Sequence, residues 1–128
     1  MTTITHIYDK QRKLVSVTAV GEGTPETIVP MYQKARELAE LHNANKVMVD
    51  LVGLSLDYDS EHIIDIIYRL IPVVKGLQVA RIVDDTNFRQ DLIEQLADSH
   101  QIHLKNFNNV EDALNWFSTE PQFSEAVD

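Results

Sequence analysis

Eight branched aliphatic residues crowd the segment Ile63–Val74: Ile63, Ile64, Ile66, Ile67, Leu70, Ile71, Val73 and Val74. Spaced at about 100° per residue they sweep roughly 180° of a helix, whereas a helix lying on one sheet face needs only about 100°. The surplus must meet a neighbouring helix, a second subunit, a protein partner or an apolar ligand. Pro72 falls on the polar side, so the helix is expected to kink or end near it. No apolar run reaches the roughly 20 residues of a bilayer span, and Asp65, Arg69 and Pro72 interrupt this one.

The rest of the chain alternates strand and helix. Ile4 to Tyr8 and Leu14 to Val20 read as strands, the second with Val15, Val17 and Ala19 opposite Ser16 and Thr18. The polar Asp9-Lys10-Gln11-Arg12-Lys13 between them predicts a hairpin. Gly21-Glu22-Gly23-Thr24-Pro25 breaks the sheet. It has neither dinucleotide nor P-loop spacing, so it reads as a turn rather than a phosphate cradle. A helix follows, carrying Ile28, Met31, Tyr32, Ala35, Leu38, Ala39 and His42 on one face. Either Thr24 caps it with Pro25 at the first position, or Thr27 caps it with Pro30 in the first turn. The second avoids an interior proline and is the expected start.

Lys46 to Leu51 is a short apolar run, as in a parallel strand covered on both faces. Then come a helix from Ser60 to about Val74, a strand over Leu77 to Val83 and a helix from Asn87 to about Ser99. Ile102 to Phe107 is a further strand, and Asn109 caps a last helix with Val110, Ala113, Leu114 and Phe117 in register. The expectation is one α/β domain over 1–117 with a mixed, mostly parallel sheet, about four helices and right-handed crossovers. Residues 118–128 form a polar tail expected to fray.

Acidic side chains outnumber basic ones 20 to 11, for a net charge of −9, which argues against a phosphate-binding surface for nucleic acid and against an anionic membrane. There is no cysteine, hence no disulfide or thiolate. The N-terminus lacks the basic and apolar parts of a signal peptide, so the cytoplasm is expected. His6, His42, His62, His100 and His103 show no zinc-ligand spacing, and no metal or other cofactor is expected. Asp50, Asp84 and Asp85 follow or end two parallel strands, where three carboxylates could hold Mg²⁺ for phosphotransfer. The simpler reading has Asp50 bonded to a loop backbone and Asp84 and Asp85 precharging the next helix. Ser60, at a helix start, reads as an N-cap or a regulated hydroxyl.

The hairpin, the first helix, Val47-Met48-Val49-Asp50-Leu51 with Gly53, and the closing Glu111-Asp112-Ala113-Leu114-Asn115-Trp116-Phe117 together resemble a known pattern. From about Ile4 to Phe117 the chain resembles SpoIIAA-like single-domain proteins, of the STAS or anti-sigma-factor antagonist type. The resemblance implies a right-handed strand-helix superhelix, shared with lipid-binding CRAL-TRIO-type domains. In antagonists, a kinase partner phosphorylates a serine at the start of the helix after the aspartate-bearing strand, in a setting such as Asp-Ser-Ser-Gly. Here Asp59-Ser60 matches the first half and Glu61-His62 stands in place of the second.

The expected function is a non-catalytic regulatory or protein-interaction module. Its docking surface comprises Asp57, Tyr58 and Asp59 of the 57–62 loop with Ile63, Ile64, Ile67 and Ile71 of the following helix. The partner is another protein or a second copy in a homodimer. The alternative is a carrier of a small apolar ligand or lipid, and a distant third is Mg²⁺-dependent phosphotransfer by Asp50, Asp84 and Asp85.

Overall fold

The computed structural model describes the backbone of residues 2–55, 60–84 and 88–119. Strand β1 (Thr3–Asp9) turns into β2 (Leu14–Glu22), and helix α1 (Pro25–Leu41) leads to β3 (Lys46–Asp50). A two-residue strand, β4 (Leu54–Ser55), precedes α2 (Ser60–Val74). Strand β5 (Gln78–Ile82), helix α3 (Phe88–Ser99), strand β6 (Leu104–Phe107) and helix α4 (Val110–Thr119) complete the order. The sheet runs β1-β2-β3-β5-β6, with β4 beside β2. Only β1 and β2 are antiparallel; every other described pairing is parallel.

The hairpin turn is closed by Asp9, whose carboxylate accepts from the Gln11 and Arg12 amides at 3.1 and 3.2 Å and from Arg12 Nη1 at 2.9 Å. The Arg12 side-chain bond, with the Arg12 and Gln11 amides, holds the Asp9 carboxyl below its ordinary pKa. Charged Asp9 therefore supports the folded turn above the usual carboxylate range, and that support fades as pH falls. Replacement Arg12→Ala should move the Asp9 midpoint up towards the ordinary value, read from side-chain carboxyl shifts in an NMR titration.

Helix α1 starts earlier than the sequence suggests. Thr24 is the cap, in extended conformation with Pro25 in the first turn, and its amide donates to Thr27 Oγ1 at 2.9 Å. Pro30 therefore lies inside the helix and forgoes one intrahelical bond. Ile28 and Val29, just after that extra turn, lie in the core. Each such side chain contributes about 2 kcal/mol. Strand β4 has too little sequence to show periodicity. It forms because the β3–α2 connection folds back along the end of β2, with Gly21 donating to Gly53 O at 3.0 Å and Gly23 to Ser55 O at 2.7 Å. At Gly53 an added Cβ would lie 3.2 Å from Val20 Cγ2, a tight contact that the exposed Val20 side chain would have to relieve by shifting.

Two layers of side chains flank the sheet. Val15, Val17, Ala19, Val47, Val49 and Val79 face the larger core with α1, α2 and α3. Leu14, Ala80 and Ile82 face the smaller one with Ala113 and Phe117 of α4. Helix α2 sits between α1 and α3, so neighbouring helices cover most of the surplus arc. The helix continues two residues past Pro72 and stops before Gly76, whose φ of +86° turns the chain into β5. The end of α2 carries no basic residue of its own. Arg36 of α1 reaches across instead, its Nη1 donating to Val73 O at 2.7 Å and Lys75 O at 2.8 Å. A cation there answers both the open carbonyls and the negative end of the helix. Substitution Arg36→Met should lower stability by about 1–2 kcal/mol in urea unfolding. Glu40→Ala, which removes only the exposed ion pair of Arg36, should cost less than about 0.5 kcal/mol.

Candidate functional site

The residues singled out on α2 divide into two sets. Ile63 is fully buried and Ile67 is 5% exposed, both within the larger core. Ile71 is half-buried and Ile64 is 41% exposed. A partner approaching the folded chain therefore meets Ile64 and Ile71, while Ile63 and Ile67 hold α2 in place. Tyr68, 58% exposed, and exposed Pro72 continue the line from Ile64 at four-residue steps. The ridge Ile64–Tyr68–Pro72 is flanked by the exposed pair Asp65–Arg69 at 3.5 Å. The His100 ring, at the end of α3, meets Tyr68 edge-on with centroids 5.2 Å apart. The aliphatic pattern alone leaves out Tyr68 and assigns Pro72 to the polar side; the i, i+4, i+8 spacing from Ile64 is the signal that joins them to the line.

Ser60 is the first residue of α2. Asp57, Tyr58 and Asp59 lie outside the described residues, as does Asp85. Asp50 ends β3 and its Oδ1 accepts the Val52 amide at 3.1 Å, the loop-backbone bond that the simpler reading expects. Asp84 is exposed just beyond β5. Among the described residues no three His, Asp or Glu side chains gather as a metal site.

Beneath α2, Ile28, Met31, Ile67, Ile71 and Ile93 surround a gap of about 30 Å³. Ligand pockets run to about 300–1,000 Å³, so this gap as it stands is too small for a lipid or acyl chain. Arg81 of β5 borders this gap at 3% exposure, and its Nη1 donates to Asn106 Oδ1 at 3.0 Å. The Asn106 backbone N–H in turn donates to Glu94 Oε2 of α3 at 2.9 Å. This polar chain ties β5, β6 and α3 together. Its sequence signal was a lone arginine inside an apolar strand buried on both faces.

A hairpin feeding parallel strands, with three helices on one face and the closing helix on the other, is the SpoIIAA-like arrangement. No protein-family model matches the sequence, and no curated protein matches it. Its structure is similar to that of an uncharacterized protein of the DUF3478 family with a SpoIIAA-like fold from Shewanella loihica PV-4. The match covers 91% of this chain and 93% of that one, with a TM-score of 0.56 and 21% identity. The chain thus has a SpoIIAA-like fold, and no helix among the described residues is long and apolar enough to cross a membrane.

Because Ile67 lies in the core and Ile64 on the ridge, aspartate at each should act oppositely. Ile67→Asp should cost more than about 4 kcal/mol, since it buries an unpaired carboxylate. Ile64→Asp should change stability by less than about 1 kcal/mol. Urea unfolding of the two variants checks the assignment.

Proposed function

We propose that the chain is a non-catalytic regulatory module of the cytoplasm that docks onto a partner protein. Its contact surface is the Ile64–Tyr68–Pro72 ridge, together with half-buried Ile71 and the 57–62 segment leading into α2. One observation carries the reading. A helix walled in by α1, α3 and the sheet still turns an unbroken apolar and aromatic line to solvent. Residues of this kind, exposed and central to a patch, are the ones that dominate protein interfaces. The partner is one with basic residues around an apolar groove, a reading supported by Asp57 and Asp59, which precede the helix in sequence, and by Asp65 on the helix beside its ion-pair partner Arg69. The family resemblance supports the same place, since it puts the partner-modified serine at the start of this helix, where Ser60 stands.

Capture from a lysate on immobilised protein tests the proposal, using wild type and an Ile64→Asp, Tyr68→Asp variant shown by circular dichroism to be folded. Specific partners should be recovered on wild type and fall by roughly tenfold or more on the variant. Equal recovery of the same proteins by both would remove the ridge from the docking surface.

A further inference from the structure

The two edges of the sheet are built differently. Strand β6 is four residues long and carries Lys105. The Val79 amide donates to His103 O and the Val83 amide to Phe107 O. Residues 103 and 107 thus turn their backbone groups to β5, and the alternation points those of Leu104 and Asn106 outward. Both outward amides are engaged, Leu104 with Ile102 O at 3.0 Å and Asn106 with the Glu94 carboxylate at 2.9 Å. That edge is closed.

Strand β1 has none of these devices. It is seven residues long, with no proline, lysine or bulge. Gly21 and Gly23 of the β2 end turn their amides to the β4 side, so the even-numbered residues of β2 face β1. Their partners in register are Thr3, Thr5, Ile7 and Asp9. By alternation, the amides and carbonyls of Ile4, His6 and Tyr8 point away from β2. Among the described residues β1 has no strand on that side. The sheet face beside it is open as well, with Ile7 60% exposed and Thr3 and Thr5 exposed next to it.

Charge indicates what fits there. From Thr2 to Tyr8 the chain carries no Asp, Glu, Lys or Arg, in a protein of net charge −9. Exposed Lys10 and Lys13 lie at the turn end of the hairpin, and exposed Glu22 and Glu26 at the other end. An antiparallel second copy sets each basic end beside an acidic one, a self-complementary arrangement that suits two-fold symmetry. We propose that two copies pair through their β1 strands, joining their sheets into one continuous sheet. The full-length register centres on His6 and puts Ile4 against Tyr8 of the partner subunit and Ile7 against the partner's Thr5.

Light scattering coupled to gel filtration, over roughly a hundredfold range of concentration, tests this. Wild type should approach twice the 14.6 kDa chain mass as concentration rises. A Thr5→Lys, Ile7→Lys variant sets lysine against lysine across the seam and should remain a monomer. Inverting one end with Lys10→Glu, Lys13→Glu should weaken the dimer by roughly tenfold or more, and adding Glu22→Lys, Glu26→Lys should restore it. Circular dichroism confirms that each variant is folded, and the charge variants keep the test open if the lysine variant is not. Wild type at one chain mass throughout, or charge inversion without effect, would overturn the proposal. The Ile64→Asp, Tyr68→Asp variant should dimerise normally, which separates this seam from the docking ridge.

Discussion

Everything in the larger core depends on α2 being wedged between α1 and α3 over parallel strands that are buried on both faces. The wedge accounts for the isoleucines: a helix touching a sheet on one side and helices on two others needs an apolar arc nearer half its circumference than a third. Ile63 and Ile67 meet the interior, and the flanking residues meet neighbouring helices. What the wedge cannot hide emerges as the Ile64–Tyr68–Pro72 ridge. Core and candidate surface are two sides of one helix.

The larger elements were legible because each has enough residues to show its period. Alternation in Leu14–Val20, the apolar run at 46–51 and the closing helix all translate directly into the observed order. Local competition was not legible. Thr24 and Thr27 both offer a hydroxyl near a proline, and the fold uses the two together, Thr27 Oγ1 accepting the Thr24 amide at the helix start. Strand β4 is two residues held by the end of β2, and nothing within those two residues announces it.

The apolar surplus of α2 was legible in outline, but not which of its residues reach solvent. Sequence located the excess apolar surface on the right helix, yet arc width alone does not say which edge of the arc the neighbouring helices cover. Ile63 and Ile64 are adjacent in sequence, one fully buried and the other 41% exposed. Arg81 was hidden for the opposite reason: one charge within an apolar strand has no periodicity, and its meaning depends on Asn106, 25 residues later.

The Glu94 carboxylate on the Asn106 amide has a consequence for solubility. Because a side chain of α3 stoppers that rim, any loosening of α3 from the sheet bares the Asn106 backbone N–H on the outer side of β6.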